Sequence, residues 1–195
     1  MPKLGMEPIR RSALVEATIH EIGACGSLDV TVSRIARRAG MSSALAHHYF
    51  GSKEAIFAAA MRHIVMLYGA EVRGALAMAH TPRQRLEAIV RASFAPRQFR
   101  IETISAWLNF YVQAQKSDAA RRLLHIYQQR LRSNLHHEFR QLAGGEARTL
   151  TRGLAAMIDG LYLRQALRAT PVDREAAVEV LLHYIDSSLN QREAR

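Results

Sequence analysis

The feature that most constrains the fold is the spacing of apolar residues, which recur at steps of three and four along nearly the whole chain. That spacing places side chains on one face of an α-helix, whereas a strand needs strict alternation. Alternating runs of β-branched residues are rare. The first helical stripe ends at Gly26 and consists of Ile9, Leu14, Ala17, Thr18 and Ile22. The pattern predicts an all-α protein.

Glycines and prolines divide this pattern into separate helices. A long helix is expected from Lys53 to near Thr81, where Pro82 fits the first turn of the next helix and Pro96 marks its end. Breaks are expected at Gly144-Gly145 and at Thr170-Pro171. The remaining helices are predicted around residues 100–115, 118–142, 146–168 and 173–190.

The net charge of +10 comes from 24 arginines and three lysines against 17 acidic residues, a balance that suits a polyanionic partner. Residues 1–60 contribute only +2 of it, so charge alone does not locate a nucleic-acid site. Cys25 is the single cysteine, which excludes an internal disulfide and fits a reducing compartment. With no signal-like segment or membrane-spanning run, we expect a cytoplasmic protein without a membrane partner.

Residues 31–53 contain two short helices around one glycine. Thr31 or Ser33 can cap a helix through Arg38, and Gly40 supplies the left-handed residue that ends it. Ser42 can then cap a second helix of about two turns. Small residues at the crossing and glycine at the turn are what a helix-turn-helix requires, and residues 9–24 can brace the pair. The second helix would enter the DNA major groove, unless the motif is a plain helical hairpin with a solvated surface.

The stretch "HHYFGSK" at residues 47–53 resembles the signature that closes the recognition helix of TetR-family repressors. By position, the resemblance implies contacts to bases from Ser43, Ala44 and Leu45, and to base edges or the backbone from His47, His48 and Tyr49. Thr31 and Lys53 would meet phosphates, and Ser42 joins the DNA-binding set as the cap of this helix. The resemblance also gives Phe50 an inward position and makes Ser52 the cap of the next helix.

The stretches "IARRAGMS", "AWL" and "GLAAMIDGLYLR" resemble the BetI repressors, a group within that family that senses choline and controls genes converting choline to glycine betaine. This resemblance implies a homodimeric repressor of double-stranded operator DNA, relieved by choline as effector and without a cofactor. It implies a DNA-binding domain of residues 1–52, with a three-helix helix-turn-helix fold. Residues 53–195 would form a helical bundle for ligand binding and dimerisation. The alternative is a TetR-family repressor that responds to a different cationic drug or metabolite.

A choline site needs aromatic faces, since a trimethylammonium group donates no conventional hydrogen bond. Trp107, Phe110 and Tyr111 share one helical face and could form part of a cage, completed by Phe94, Tyr127 or Tyr162. The alternative is that these rings fill the core. Asp159 interrupts an apolar run, so its carboxylate either balances a bound cation or pairs with an arginine such as Arg164 at a subunit contact.

Small residues at Gly153, Ala156 and Gly160 would let two helices approach closely. We therefore expect helices 146–168 and 173–190 to form a four-helix dimer contact about a two-fold axis.

An enzyme is not expected. No glutamate has a histidine three residues later, as a di-metal bundle would require, so no metal site is predicted. The chain also lacks a phosphate-cradling glycine loop and a G-x-S-x-G nucleophile motif.

Overall fold

The computed structural model describes residues 5–193, which form α-helices joined by short turns, with no strand in that range. The prediction of an all-α protein is confirmed. Two short 3₁₀ turns, Pro96–Phe99 and Gly144–Glu146, precede the sixth and eighth helices. In chain order the helices are α1 Met6–Cys25, α2 Val32–Arg38, α3 Ser43–Phe50, α4 Lys53–Ala77, α5 Pro82–Ser93, α6 Ile101–Lys116, α7 Asp118–Ala143, α8 Ala147–Ala166 and α9 Arg174–Glu193.

Helix ends fall close to the predicted residues because their capping chemistry is local. Gly26 closes α1 with a left-handed φ of 69°. Thr81 and Gln84 form a reciprocal capping box at the start of α5, with Pro82 in the first turn. The largest shift is at α4, which ends at Ala77 rather than near Thr81, and α9 extends three residues beyond the predicted end at residue 190.

The chain divides into two compact units. Unit 1 comprises the residues up to Met66 together with Arg100–Leu124, and unit 2 comprises Leu67–Phe99 together with the chain from His125 onward. This division describes packing; the assignment of residues 1–52 to DNA binding and 53–195 to ligand binding and dimerisation stays a prediction.

In unit 1, α1 packs closely against α6, and Gly23 permits the approach. A Cβ built at Gly23 would lie 2.7 Å from the Cα atom of Glu102, a distance that real structures do not tolerate. The core of this unit is apolar and fully buried at Leu14, Ile22, Ile35 and Ile56. Its burial supplies most of the stability of the short helices that pack on it.

In unit 2, α8 packs against α9, and α5 contacts both. Large apolar side chains fill the interior, including Phe94, Phe139, Leu154 and Leu181. The small-residue strip proves to have two different surroundings. A Cβ at Gly153 would lie 2.3 Å from the Tyr184 hydroxyl of α9, whereas one at Gly160 would meet no described atom within 4 Å.

Helix α4 begins in unit 1 and ends in unit 2. By length and apolar content alone it could cross a membrane, which the sequence reasoning overlooked. Its most apolar window is 44% buried inside the protein, and Ile56, Ala60 and Ile64 belong to the core. These buried residues show that α4 contributes to the core of the protein.

Candidate DNA-binding surface and effector site

Helix α3 is built by its two ends. At its start the Ser42 hydroxyl oxygen accepts a hydrogen bond from the Leu45 backbone N–H at 3.2 Å. Before it, Gly40 has a φ of 68° and lets the chain turn, while the Met41 N–H reaches the Ala36 carbonyl at 2.9 Å. Gly51 ends α3 with a φ of 78°. The predicted helix-turn-helix is therefore present, with α2 capped by Thr31 rather than Ser33.

The predicted DNA-binding residues share one property, which is that none is buried. Ala46 is the only buried residue of α3. Thr31, Ser42, Ala44, His47 and His48 are exposed, and Ser43, Leu45, Tyr49 and Lys53 are half-buried. The outer side of α3 is thus free to meet a base-pair edge, as major-groove reading requires.

A second set of contacts, which the sequence reasoning missed, holds the end of α3 against α1. The Arg11 guanidinium donates to the Tyr49 carbonyl at 2.5 Å and pairs with Glu7 at 2.8 Å. It also lies 5.2 Å from the centre of the Phe50 ring, a distance at which cation–π attraction operates. Arg10 reaches the Tyr49 hydroxyl at 3.4 Å. Nothing in the sequence around Arg10 and Arg11 indicated that they contact the end of α3.

Glu21 forms another missed cluster. This carboxylate on α1 is only 3% exposed and pairs with both Arg34 and Arg38 of α2. The hydrogen bond from Arg38 and the charges of both guanidinium groups hold the pKa of Glu21 below its ordinary value, although burial opposes them. The sequence did contain a signal for this cluster: Glu21 lies seven residues after Leu14, on the apolar side of α1, where a carboxylate needs a partner.

The three aromatic residues predicted on one face of α6 do lie together in unit 1. The Trp107 ring centre is 5.9 Å from that of Phe110 and 6.0 Å from that of Tyr111. Trp107 and Phe110 are buried, and Tyr111 is half-buried. Phe110 also lines a cavity with Phe57 and Met61, whose volume of about 30 Å³ admits one or two water molecules. In this conformation the rings fill a core.

Asp159 of α8 lies in unit 2, and the hydroxyl of Tyr127 donates a hydrogen bond to its Oδ1 at 3.0 Å. Burial raises the pKa of Asp159 above its ordinary value, and the bond from Tyr127 opposes the shift. Within residues 5–193 no arginine forms an ion pair with Asp159, so Arg164 is not its partner in the single chain.

A second aromatic side chain, Tyr68, packs against Tyr127. The Tyr127 ring centre lies 5.6 Å from that of Tyr68, and the Tyr68 hydroxyl is 2.9 Å from the Ser93 hydroxyl. Burial raises the pKa of Tyr68 to about 12. Tyr68 was not singled out from the sequence, because it lies 59 residues from Tyr127 in the chain.

Tyr162, also predicted to bind ligand, is fixed by a different set of contacts in unit 2. Its hydroxyl donates to the Gln98 carbonyl at 2.9 Å, and its ring lies 5.1 Å from that of Phe99. Phe99 in turn lies 6.0 Å from Phe94. Burial raises the pKa of Tyr162, which keeps the hydroxyl protonated and able to donate.

Comparison with known proteins places this arrangement in a family. Residues 14–60 match the model of bacterial regulatory proteins of the tetR family, and residues 82–190 match that of the BetI-type transcriptional repressor, C-terminal. The chain is 49% identical over 191 residues to the HTH-type transcriptional regulator BetI of Brucella melitensis, covering 97% of this chain and 96% of that protein. It is 50% identical over 190 residues to that of Rhizobium meliloti, covering 97% and 94%.

Solved structures agree with these relatives. A putative transcriptional regulator from Pseudomonas aeruginosa PAO1 is 26% identical, with a TM-score of 0.84 over 96% of this chain and 93% of that one. A putative transcriptional regulator from Saccharomonospora viridis in complex with choline has the same fold, with a TM-score of 0.77 and 24% identity over 90% of this chain and 95% of that one.

These relatives are transcriptional regulators and not enzymes, and proteins of this family bind operator DNA as dimers, respond to small-molecule effectors and use no cofactor. The chain therefore belongs to the TetR family of transcriptional regulators, as a repressor of the BetI type.

Proposed function

We propose that this repressor controls genes for the conversion of choline to glycine betaine, and that choline relieves the repression. The observation that carries the proposal is the half-buried carboxylate of Asp159, which forms no ion pair among the described residues. Partial burial removes some hydration from this carboxylate, and a bound cation would compensate its charge. The full-length similarity to BetI regulators supports choline as that cation, as does the choline complex of the Saccharomonospora viridis regulator.

The surroundings of Asp159 suit a quaternary ammonium group. Tyr127 fixes the carboxylate through its hydroxyl and offers a ring beside that of Tyr68. Each aromatic face in contact with such a cation contributes about 0.5–2 kcal/mol, and more as water is excluded. Tyr162 stays a candidate wall of this site in unit 2, and Trp107, Phe110 and Tyr111 stay candidates in unit 1.

The DNA contact follows from the exposed side of α3. Ser43, Ala44 and Leu45 read base edges, whereas His47, His48 and Tyr49 reach the backbone or neighbouring bases. Thr31, Ser42 and Lys53 lie at helix starts, where phosphates are attracted by the helix dipole. A homodimer through α8 and α9 would present two such helices about 34–36 Å apart, one duplex turn, in the cytoplasm.

Choline acts, on this proposal, by binding more tightly to a dimer that does not fit the operator. A ligand with equal affinity for both forms would shift nothing. Operator affinity should therefore fall in proportion to the difference in choline affinity between the two forms.

The test is a titration of choline against the complex of the protein with its own upstream DNA, followed by fluorescence anisotropy. Choline at millimolar concentration should release the DNA. Asp159→Asn should raise the choline concentration for half release at least tenfold while leaving affinity for DNA unchanged. Asp118→Asn, which removes an exposed carboxylate of unit 1, is the matched control and should change neither quantity.

Two outcomes would redirect the proposal. Release by another cationic compound but not by choline would favour a repressor of a different cationic drug or metabolite. Equal choline response in the wild type and Asp159→Asn would remove the carboxylate from the effector site, while choline-dependent release itself would still stand.

A further inference from the structure

A groove between α7 and α8 in unit 2 is lined only by polar and cationic side chains. Arg132, Ser133 and His136 line it from α7, and Arg148, Thr151 and Arg152 line it from α8. His136 lies three and four residues after Ser133 and Arg132, and Arg148 lies three and four residues before Thr151 and Arg152, so each set borders one side of its helix. We name this feature the arginine groove.

The three guanidinium groups of the arginine groove form no ion pair among the described residues, although Arg132 and Arg152 also line a neighbouring pocket with Asp159. No carboxylate lines the groove, and within residues 5–193 none of Arg132, Arg148 and Arg152 has an ion pair or a side-chain hydrogen bond. By contrast, Arg83 and Arg85 of the same unit pair with Asp186 and Glu138. Like charges close together repel one another, so an anion that bound between them would be stabilised.

Thr151 is the second and independent observation. Its side chain is only 4% exposed, it lines the groove, and its hydroxyl oxygen has no hydrogen-bond partner among the described residues. A buried hydroxyl left without a partner is costly, and such groups in folded proteins are rare. An acceptor oxygen held by the arginines would satisfy it.

We propose that the arginine groove binds a small oxyanion of the phosphate class. Guanidinium forks match the oxygens of a phosphate in pairs, and Thr151, Ser133 and His136 add donors of other geometry. The groove is open to solvent and has a volume of about 580 Å³, so a phosphate ester has room there as well as free phosphate. The proposal does not require choline, but Arg132 and Arg152 also line the pocket of Asp159, so each arginine variant should be tested for its choline response as well.

The first test is calorimetric titration of the full-length protein with inorganic phosphate and with adenosine monophosphate, at constant ionic strength set by chloride. One site per chain is expected. Arg132→Gln and Arg152→Gln should each weaken binding at least tenfold, with circular dichroism to verify folding. Arg130→Gln is the matched control, because Arg130 is exposed on the same helix, has no partner among the described residues and does not line the groove. It should bind as the wild type does.

The second test uses Thr151→Val, which keeps the shape of the side chain and removes the hydroxyl. Without anion, its Tm should equal or exceed that of the wild type, because an unsatisfied buried group is lost. With phosphate, its gain in Tm should be smaller than that of the wild type. A purely structural hydroxyl would lower Tm equally with and without the anion.

The outcomes distinguish a phosphate ester from free phosphate, and a specific site from a nonspecific basic surface. Tighter binding of the nucleotide than of phosphate identifies a phosphate ester, and equal binding identifies the free anion; both support the site. Binding no stronger than that of chloride, or equal loss in Arg130→Gln, overturns the proposal in favour of a nonspecific basic surface. Binding of duplex DNA alone also overturns it. So does a groove covered by a second copy of the chain, detected as anion binding that appears only when dilution dissociates the dimer.

Discussion

Helices α3 and α8 differ in how many of their residues are buried. Of the eight residues of α3 only Ala46 is buried, whereas eight of the twenty residues of α8 are buried. The order of α3 therefore comes from its ends and from neighbours: the Ser42 cap and the bonds of Arg11 to its last turn. The order of α8 comes from its own apolar side, packed in the interior of unit 2.

The difference teaches where each function can reside. A reading surface needs polar groups facing outward, so it has to be held from behind by a rigid scaffold. An effector site needs polar groups facing inward, and each of these must be satisfied by a partner, as Tyr127 satisfies Asp159. Changes in the scaffold of unit 1 should consequently affect DNA binding first, and changes around Asp159 should affect ligand response first.

The largest effect is expected at the close approach of α1 and α6. Gly23→Ala would force a methyl group against the backbone of Glu102, and the shift required should lower the free energy of unfolding by about 3 kcal/mol. Gly74→Ala is the control, because a Cβ at Gly74 meets no described atom within 4 Å. That variant should be neutral or stabilised by up to about 1 kcal/mol. Denaturant unfolding measures both, and equal stability of the two variants would contradict the packing described.

Glu21 comes next, as the ionic tie between α1 and α2. Glu21→Gln should lower the free energy of unfolding by about 2 kcal/mol at neutral pH, because one buried group that held two arginines loses its charge. The folded-state pKa of Glu21 is depressed, so this stabilisation is present above the ordinary value of 4.5 and is lost as the pH falls through the folded pKa.

Stability curves of the wild type and of Glu21→Gln should accordingly converge on acidification. Curves that stay parallel down to the acid limit would show that the ion pairs contribute nothing. Asp118→Asn, which breaks an exposed pair with Arg121, is the matched control and should change stability by less than about 1 kcal/mol.

The helix-turn-helix of α2 and α3 could be predicted from the sequence because the residues that determine it act locally. Thr31, Gly40 and Ser42 act on backbone groups within a few residues of themselves, so the spacing predicted the turn at Gly40 and the cap at Ser42 and left two candidates, Thr31 and Ser33, for the cap of α2. The tie from Arg11 to Tyr49 joins residues 38 positions apart and had no local signature. The boundaries of the helices after α3 were predicted for the same local reason, because glycines and prolines mark where helices begin and end.

The surroundings of Asp159 were only partly predictable. A carboxylate in an apolar run indicated that a partner must exist, but periodicity could not choose between an arginine, a ligand and a tyrosine. The hydroxyl of Tyr127 lies 32 residues away in sequence, and Tyr68 lies farther still. Such contacts depend on how helices from distant parts of the chain pack together, and no single helical face contains that information.

The response to choline should depend on pH in a way that sharpens the contrast between α3 and α8. Burial places the pKa of Asp159 above its ordinary value, so a cation that needs the ionised carboxylate binds less tightly as the pH falls toward that raised pKa. The choline concentration for half release should rise up to about tenfold per pH unit below it, which corresponds to about 1.4 kcal/mol. Asp159→Asn should respond independently of pH, and a pH-independent wild type would contradict the role of this carboxylate.

The smallest effect is expected at the cap of α3. Ser42→Ala removes the acceptor for the Leu45 N–H and should lower the free energy of unfolding by about 1 kcal/mol or less. Since α3 has little buried surface, the same loss should weaken operator binding severalfold, because the helix frays where it reads DNA. Ser117→Ala removes the cap of the 26-residue α7 and should leave operator affinity unchanged.

Ser42→Asn separates the two roles of the hydroxyl, since asparagine caps a helix as well as serine does. Restored stability together with restored operator affinity would show that Ser42 acts as a cap. Restored stability without restored affinity would show that the hydroxyl itself contacts phosphate. Arg11→Gln removes the bond to the Tyr49 carbonyl without changing the cap, so it should weaken operator binding whichever residue stands at position 42.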